Sequence, residues 1–353
     1  MKILHITGVD KFIPGFIEIL EENFDKGIHT VITFGELKTN IFDKLKVKNF
    51  PTLRNFSTLF FIIKELNKYD KIILHGLFLK PIIVLLCLMP WLHKKCYWII
   101  WGGDLYCHEQ SNKNLKFKII EVFRKYLICR LNGLITYIDG DYEKAKKWYG
   151  ARGKLYKCIM YKSNIYSGKY LTLNDEEYFT KSSSEKLNIL IGNSATPTNN
   201  HRLIFEKLST LNFNESINKI YCPLSYGDAD YAMNIKKLGE SMFGDSFEAL
   251  IQFISLKDYN EILDKIDIAI FAHNRQQAMG NTINLLGRGK TIFMRSDTTS
   301  YELLTKLDLV VHDLNDLILT QQPFDVTLKN NKNIINYFSE ENLIKQLDNI
   351  FKS

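Results

Sequence analysis

Short apolar runs and helix-like stretches alternate along the whole 353-residue chain, and this alternation constrains the fold more than any other feature. In the first half, runs rich in Ile, Val and aromatic residues occur at 2–7, 28–33, 71–75, 96–101, 133–138 and 154–159. Stretches with helical periodicity lie between them, at 13–24, 55–68, 79–91, 113–131 and 139–149. Strands separated by helices predict a doubly wound parallel sheet.

The pattern stops after 159 and restarts at 187. Residues 160–186 lack periodicity and carry turn-forming Ser, Asn and Gly, as a connection between domains does. Strand-like runs then return at 187–192, 217–223, 250–254, 267–272, 290–295 and 307–311, with helical stretches near 200–211, 228–239, 258–266, 277–287 and 338–351. Two Rossmann-like α/β domains facing a cleft indicate a GT-B transferase, an epimerase of that architecture or a clamshell binding protein.

Composition excludes several classes of protein. With 46% hydrophobic and 24% charged residues, the chain has the material for two buried cores and is not disordered. Residues 1–8 form a short strand-like run and not a secretory signal, so we expect a cytoplasmic protein. The longest apolar run, 81–92, contains Pro90 and is too short to span a bilayer, so any membrane association is expected to be peripheral. Six cysteines without C-x-x-C spacing predict reduced thiols and no zinc site.

Charge divides unevenly along the chain. Residues 1–180 hold 28 Lys and Arg against 18 Asp and Glu, whereas residues 181–353 hold 18 against 21. A basic first half suits an anionic membrane surface, a pyrophosphate-bearing acceptor or nucleic acid. A lysine-rich surface without a dedicated partner explains the same counts.

Two strand ends in the second half carry candidate binding residues. The strand 187–192 ends in Gly-Asn-Ser and leads into a helix, which suits a diphosphate, although an ordinary strand-to-helix turn uses the same residue types. The segment 272–281 places six polar side chains around a glycine at a second strand-to-helix junction, where a sugar and its phosphates would need them. The candidates are Gly192, Asn193, Ser194, His201, Arg275, Gln276, Gln277, Gly280 and Asn281.

One strand end in the first half carries candidate catalytic chemistry. The strand 96–101 ends in Trp101-Gly-Gly, and Asp104 follows where it could accept a proton from an attacking hydroxyl. His75, at the end of another strand, is a second candidate base. Asp104 could instead cap the next helix, and His75 could be a satisfied structural group. The candidate acceptor-binding residues are Gly8, Trp101, Gly103 and Tyr106.

A D-x-D motif at Asp228-Ala-Asp230 resembles the metal-holding motif of single-domain transferases. Here it opens a helical run, so two acids at a helix N-terminus explain it without a metal. We therefore predict a metal-independent site. Tyr226, Leu256 and Tyr259, near the ends of the neighbouring strands, are added as candidate donor contacts.

The stretch 113–131 could be a membrane-surface helix or an ordinary crossover helix. Ile120, Phe123, Leu127 and Leu131 fall on one face, and lysines and Arg130 surround it. Both interpretations explain that apolar face.

The combination of these motifs resembles glycosyltransferase family 56, the TDP-N-acetylfucosamine:lipid II N-acetylfucosaminyltransferases of enterobacterial common antigen synthesis. The residues that carry the resemblance occur in order along most of the chain: His75-Gly76, Trp101-Gly-Gly-Asp-Leu-Tyr106, Ile191-Gly-Asn-Ser194 with Asn200-His201, and Arg275-Gln-Gln277 with Gly280. The resemblance implies a GT-B hexosyltransferase without a cofactor, whose TDP-4-acetamido-sugar donor is a substrate. It also implies an undecaprenyl-diphosphate-linked acceptor at the inner membrane.

On this basis residues 1–165 are predicted to bind the acceptor and residues 187–335 the donor, with 166–186 as linker and a C-terminal helix at 336–353 that can pack back on the first domain. The predicted partners are the nucleotide sugar, the lipid-linked glycan and the anionic inner-membrane surface on its cytoplasmic face, and nucleic acid is not among them. Three alternatives stay open: an O-antigen or capsule transferase, a nucleotide-sugar 2-epimerase, and a non-catalytic clamshell binding protein.

Overall fold

A computed structural model describes residues 1–35, 45–53, 55–109, 114–179, 185–211 and 213–353. The chain divides into a first unit of residues 1–163 and 340–353 and a second unit of residues 164–339. Residues 166–186, the predicted linker, belong to the second unit. Lys113 and residues 180–184, which fall in predicted segments, lie outside the described residues.

Within the described residues, the first unit is built on a seven-stranded parallel sheet with the order β3-β2-β1-β4-β5-β6-β7. Its strands are β1 (Ile3–Gly8), β2 (His29–Phe34), β3 (Lys46–Phe50), β4 (Lys71–His75), β5 (Cys96–Ile99), β6 (Gly133–Ile135) and β7 (Lys154–Tyr156). The order reverses direction between β1 and β4. Loops after these two strands therefore diverge and open a crevice at the carboxyl edge of the sheet.

The strand β3 was not predicted from the sequence. It reads Lys-Val-Lys-Asn-Phe, and its side chains are exposed or half-buried. An edge strand pairs on one side only and needs no continuous apolar run, so the signal that identified the central strands is missing here.

Helices cover both faces of this sheet. They are α1 (Ile13–Asn23), α2 (Phe56–Lys68), α3 (Lys80–Leu88), α4 (Gly103–Tyr106), α5 (Leu115–Ile128), α6 (Asp139–Tyr149) and α15 (Glu340–Lys352). Leu4 and Ile6 of β1 share one buried cluster with residues of α2, α3, α5 and α6. His5, between them in sequence, points to the opposite face, where its ring contacts Phe16 of α1 and Phe351 of α15.

The second unit is built, within the residues described, on a six-stranded parallel sheet with the order β10-β9-β8-β11-β12-β13. Its strands are β8 (Leu187–Ile191), β9 (Ile217–Pro223), β10 (Phe247–Leu250), β11 (Ile268–Phe271), β12 (Thr291–Met294) and β13 (His312–Asp313). The order reverses between β8 and β11, which places a second crevice at their carboxyl ends. The apolar run 307–311 was predicted to be the last strand, but β13 begins only after it. Leu307, Asp308 and Leu309 instead complete the turn after the preceding helix.

The helices of the second unit are α7 (Glu176–Phe179), α8 (His201–Ser209), α9 (Phe213–Ser216), α10 (Ala229–Phe243), α11 (Leu256–Lys265), α12 (Met279–Gly287), α13 (Thr299–Lys306) and α14 (Phe324–Tyr337). The helices α13 and α14 were not predicted. Their sequences contain Thr, Ser and Asn in place of a regular apolar stripe. Packing supplies what local propensity lacks, since Asn330 and Asn331 of α14 are fully buried and their side chains bond to backbone groups of 310, 171, 169 and 287.

Lys71 fixes the C-terminal end of α15 in the first unit. Its ammonium group is buried at the start of β4 and donates to the carbonyl oxygens of Ile350, Phe351 and Ser353. These are helix-end carbonyls, which have no partner inside the helix. Burial lowers the pKa of Lys71 to about 8, so the group is still charged at pH 7 and complements the negative end of the helix dipole.

Replacing Lys71 by Met should lower the free energy of unfolding of the first unit by about 2 kcal/mol, because buried carbonyls lose their donor. All four tryptophans (91, 98, 101 and 148) lie in this unit, so urea unfolding followed by tryptophan fluorescence reports on it alone. The control Lys352→Met removes an exposed ion pair with Asp348 and should change stability by less than about 0.5 kcal/mol. Equal effects of the two changes would contradict the role of Lys71.

Candidate functional site

The crevice between β8 and β11 of the second sheet brings the two predicted donor motifs together. The loop 192–200 follows β8, and the loop 272–278 follows β11. The two strands are direct neighbours, with Ile191 opposite Ile270. Side chains from the two loops therefore meet beyond the carboxyl edge of the sheet.

The first loop is organised around Asn199, which is fully buried. Its side-chain oxygen accepts from the backbone N–H of Asn193 at 2.9 Å, and its amide donates to Ser194 Oγ at 3.1 Å and Thr196 Oγ1 at 2.7 Å. Gly192 has a φ of +65°, and a Cβ there would lie 2.8 Å from Asn199 Oδ1. Only glycine fits this position, so the sequence Gly-Asn-Ser has a structural reason as well as a chemical one.

Gln277 of the second loop ties the two loops together. Its side-chain nitrogen donates to Asn193 Oδ1 at 3.0 Å and lies 3.2 Å from Ser194 Oγ and from Thr196 Oγ1. Its oxygen accepts from Thr198 Oγ1 at 2.8 Å. The result is a network of amide and hydroxyl groups that is half-buried and carries no formal charge.

Two helices begin at this network, and both begin in the same unusual way. Asn200 precedes α8 with a φ of +52°, and Ala278 precedes α12 with a φ of +57°. Left-handed backbone at a non-glycine residue costs about 1–3 kcal/mol and concentrates at functional sites. Neither helix has a side-chain cap or an acidic residue in its first turn. Gly280 and Asn281 lie in the first turn of α12, where the backbone N–H groups are suited to an anion.

Arg275 and Gln276 lie beside this network. Arg275 is half-buried, its Nη1 donates to the carbonyl of Gln276, and it lines a small pocket with His273, Gln277 and Arg295. Arg295 pairs with Asp297 through two hydrogen bonds of 2.9 and 2.6 Å. Gln276 Oε1 is buried and has no hydrogen-bond partner among the residues described. A buried acceptor without a partner needs an explanation, and a bound ligand that donates a hydrogen bond would provide one.

Two buried histidines lie next to these loops. His201 is fully buried with Nδ1 3.1 Å from Tyr231 Oη, and His273 Nε2 lies 3.0 Å from Asn199 Oδ1. Burial lowers the pKa of His201 to about 4 and that of His273 to about 3, so both are neutral at pH 7. His201, a predicted donor contact, is buried beside Gly192, where an added Cβ would lie 2.7 Å from His201 Nε2.

The remaining donor candidates lie at the margin of the network. Tyr226 is exposed and its hydroxyl accepts from Asn193 Nδ2 at 2.7 Å. Asn281 donates to the Tyr259 hydroxyl at 2.8 Å, and burial raises the pKa of Tyr259. Leu256 is exposed in the first turn of α11, one turn before Tyr259.

Asp104 in the first unit links the loops that follow β4 and β5. It is 1% exposed, and its Oδ2 accepts from Leu77 N at 2.9 Å and from Trp98 Nε1 at 2.7 Å. Its Oδ1 accepts from Trp101 N at 3.0 Å. Burial raises the pKa of Asp104, and these hydrogen bonds oppose that rise.

His75 belongs to a chain of buried rings. Its Nε2 lies 3.2 Å from His5 Nδ1, and His5 Nε2 lies 3.0 Å from His29 Nδ1. At the other end, His75 Nδ1 lies 2.8 Å from the hydroxyl of Tyr161, which also accepts from Trp101 Nε1 at 2.9 Å. Burial lowers the pKa of His75 to about 3, so the ring is neutral and both of its nitrogens are engaged.

The predicted acceptor-binding residues do not form one cluster. Trp101 is half-buried next to Tyr161, and Gly103 lies near Phe78. Tyr106 is buried and donates to Asp141 Oδ1 at 2.9 Å, so its ring packs in the core and is not an exposed platform for a sugar. Gly8 ends β1 at the crevice, half-buried.

Asp228 of the D-x-D motif is the N-cap of α10, because its side chain accepts from Tyr231 N at 2.8 Å. Asp230 is exposed in the first turn. Among the described parts of the chain, no group of three or more His, Cys, Asp or Glu side chains is arranged to hold a metal ion.

Sequence reasoning missed several residues that organise these crevices. Asn199, Thr196 and Thr198 were not among the candidate site residues, and Tyr161 lies in a stretch without periodicity. The run of small polar residues from 194 to 200, directly after a buried strand, was the available signal. No local pattern marks Tyr161, whose role depends on tertiary contact with His75 and Trp101.

Solved structures of low sequence identity share the fold over nearly the whole chain. HepE from Anabaena in complex with UDP-glucose matches with a TM-score of 0.69 at 12% identity, covering 100% of this chain and 99% of that one. A glycosyltransferase from Rickettsia africae matches with a TM-score of 0.64 at 14% identity, covering 99% and 98%. WaaG, a glycosyltransferase involved in lipopolysaccharide biosynthesis, matches with a TM-score of 0.63 at 11% identity, covering 100% and 99%. The predicted GT-B fold is confirmed.

A family model covers residues 11–346, nearly the full length, and is described as 4-alpha-L-fucosyltransferase, glycosyl transferase group 56. This match confirms the resemblance that the ordered motifs indicated. The protein is a glycosyltransferase, and the chain belongs to glycosyltransferase family 56.

Proposed function

We propose that this glycosyltransferase moves a deoxyhexose, such as the 4-acetamido sugar N-acetylfucosamine, from a TDP-sugar to an undecaprenyl-diphosphate-linked glycan during synthesis of a surface polysaccharide such as enterobacterial common antigen or O-antigen. Membership of a family described as fucosyltransferases supports a deoxyhexose donor. The UDP-glucose complex of HepE, which has the same fold, supports a nucleoside-diphosphate sugar as the donor class.

The observation that carries this proposal is the network at the β8–β11 crevice with two uncapped helix starts beside it. The first turns of α8 and α12 offer backbone N–H groups to a diphosphate. The uncharged amides of Asn193, Gln276 and Gln277 suit the hydroxyl and acetamido groups of a sugar. The site thus combines anion binding and sugar recognition within one unit.

Arg275 would stabilise the leaving group. In the proposed reaction, the acceptor hydroxyl oxygen bonds to the anomeric carbon while the bond from that carbon to the β-phosphate oxygen breaks. The electron pair leaves with TDP, whose β-phosphate gains negative charge. A guanidinium and helix N–H groups held in place before the reaction stabilise that charge without reorganisation.

The acceptor proton needs a base, and Asp104 and His75 are the two candidates. Burial lowers the pKa of His75 to about 3, which makes its ring a weak base at neutral pH. Burial raises the pKa of Asp104, which makes its carboxylate a stronger base than an exposed one. We therefore assign Asp104 as the candidate base and His75 as a positioning residue that acts through Tyr161.

The function is tested by incubating the protein with a TDP-deoxyhexose, with and without an undecaprenyl-diphosphate-linked glycan, and measuring released TDP. Release that requires the lipid supports the proposal, release without the lipid indicates hydrolysis, and no release in either case indicates an epimerase or a binding protein, because an epimerase returns the sugar to its nucleotide. In the same assay Arg275→Ala should lower kcat/KM by at least about 100-fold, because a charge-assisted contact to the leaving phosphate is lost.

Lys237→Ala is the matched control for Arg275. Lys237 is an exposed cation within α10 of the same unit, away from the first turns of α8 and α12, and its removal should leave kcat/KM within about twofold. If the two variants behave alike, Arg275 is not the leaving-group contact.

We also propose that the transfer requires neither a metal ion nor a cofactor. Full activity is expected to survive excess chelator, because Arg275 and the helix N–H groups take the role of a cation. Asp228→Ala should keep kcat/KM and cost about 1 kcal/mol of stability, measured by urea unfolding, through loss of the α10 cap. Loss of turnover in either experiment, restored by added Mg²⁺ or Mn²⁺, would refute metal independence.

Asp104→Asn should abolish detectable turnover while titration calorimetry shows unchanged TDP binding in the second unit. In the wild type kcat/KM should fall as the pH drops through the pKa of Asp104, which lies above 3.8, because a base must be deprotonated to act. Because Asp104 also accepts three hydrogen bonds, urea unfolding of the variant is measured in parallel. A folded Asp104→Asn protein with normal turnover would exclude Asp104 as the base.

A further inference from the structure

The helix α5 carries apolar residues on two separate faces. On the face that the sequence left open between lipid and core, Leu127 belongs to the buried cluster of the first unit, Phe123 packs against that cluster, and Ile120 is half-buried. That face is therefore a core face. On the second face Leu115, Ile119, Val122 and Tyr126 are exposed, with 38 to 73% of each residue accessible.

The exposed residues of α5 form one stripe along the helix. Their spacings of four, three and four residues keep them within a narrow arc at about 100° per residue. Lys116 borders the stripe on one side, and Lys118 and Lys125 border it on the other, all of them exposed. An apolar stripe with lysine side chains on either side is typical of a helix that lies in the plane of an anionic membrane surface.

Neighbouring elements extend the stripe into a surface. The helix α3 packs beside α5, with Cys87 Sγ 3.2 Å from the carbonyl of Phe123. Leu88 at the end of α3 and Trp91 in the turn that follows are 69% and 61% exposed. The ring of His93, in the same turn, contacts Tyr126 of α5 at 5.9 Å.

The turn after α3 also connects to α2, because Trp91 Nε1 donates to Asn67 Oδ1 at 2.9 Å. Phe56 and Phe60 of α2 are 90% and 71% exposed. All three helices pack on one side of the first sheet, and each carries at least one large exposed apolar side chain. So many exposed apolar side chains on one layer mark an interaction surface.

The charge around this surface selects an anionic partner. Helices α2, α3 and α5 and the turn at 90–95 carry nine Lys or Arg and only two Glu. Both acids are already paired, Glu65 with Lys68 and Glu121 with Arg124. The whole first unit has 29 Lys and Arg against 18 Asp and Glu, whereas the second has 17 against 21.

We propose that the outer side of α2, α3 and α5 binds the surface of an anionic lipid bilayer, with Leu115, Ile119, Val122 and Tyr126 entering the headgroup region. Lysines beside the stripe contact acidic headgroups while their stems stay along the apolar layer. Among the described residues no helix is long and apolar enough to cross a membrane. The proposed contact is with the membrane surface, and it rests on the exposed stripe and lysines of these helices, not on the assigned sugar donor or acceptor.

The test is flotation of the full chain with two kinds of vesicle, phosphatidylcholine alone and phosphatidylcholine mixed with phosphatidylglycerol. Wild-type protein should bind the mixed vesicles and bind the neutral ones at least about tenfold more weakly, and added salt should weaken binding by screening the lysines. The double change Ile119→Gln with Val122→Gln should reduce binding at least about tenfold, because two apolar side chains no longer enter the bilayer.

Matched variants distinguish binding through this surface from the loss of apolar side chains or of positive charge elsewhere in the chain. Leu203→Gln with Met233→Gln alters two exposed apolar residues on α8 and α10 of the second unit and should leave binding unchanged. Changing Lys116, Lys118 and Lys125 to Gln should weaken binding to the mixed vesicles, whereas the same loss of charge at Lys207, Lys236 and Lys237 should not.

Three results would overturn the proposal. The first is equal binding to neutral and anionic vesicles. The second is equal binding by the wild type and the Ile119/Val122 variant, provided that urea unfolding shows both to be folded. The third is a wild-type dimer, detected by light scattering, that this variant converts to a monomer, since the surface would then bind a second copy of the chain. TDP release from a detergent-soluble acceptor is unaffected by any of these results, so the transferase proposal is judged separately.

Discussion

The second unit depends on the hydrogen bonds that Asn199 and Gln277 make across the β8–β11 crevice. Asn199 holds the loop after β8 in a shape that only Gly192 permits, and Gln277 joins that loop to the one after β11. Two helices must then begin with left-handed residues and without side-chain caps. The same network that stabilises the loops therefore leaves helix N–H groups available to an anion, and so the stability of the loops and the proposed donor binding depend on one set of contacts.

The first unit uses buried polar groups for a different purpose. Asp104 joins the loops after β4 and β5, and the histidines at 5, 29 and 75 run as a chain to Tyr161. Lys71 fixes α15 to the same sheet from the opposite end of β4. Each of these groups is buried and hydrogen-bonded, which keeps the crevice of the first sheet rigid.

The helix α5 shows why an apolar pattern in a sequence is compatible with two structural interpretations. Its inner face satisfies the ordinary requirement of a crossover helix that covers a sheet, and its outer face carries a second stripe that no described element of the first unit covers. The sequence reveals apolar residues on a helix, but packing decides which of them face the core and which face the solvent. Only when the core-facing residues are identified does the remaining stripe, with lysines on both sides, become a surface that needs an explanation.

The sequence by itself determined the GT-B architecture and the family, because alternation of strands and helices repeats twice and the motifs at 75–76, 101–106, 191–201 and 275–280 follow in order. It also brought Asn193, Ser194 and Gln277 to neighbouring strand ends. The tertiary structure decided which of them touch, that Tyr106 and His201 are buried, and that Asn199 and Tyr161 matter. These depend on contacts between residues far apart in sequence, and local periodicity carries information only about the side of an element on which a residue lies.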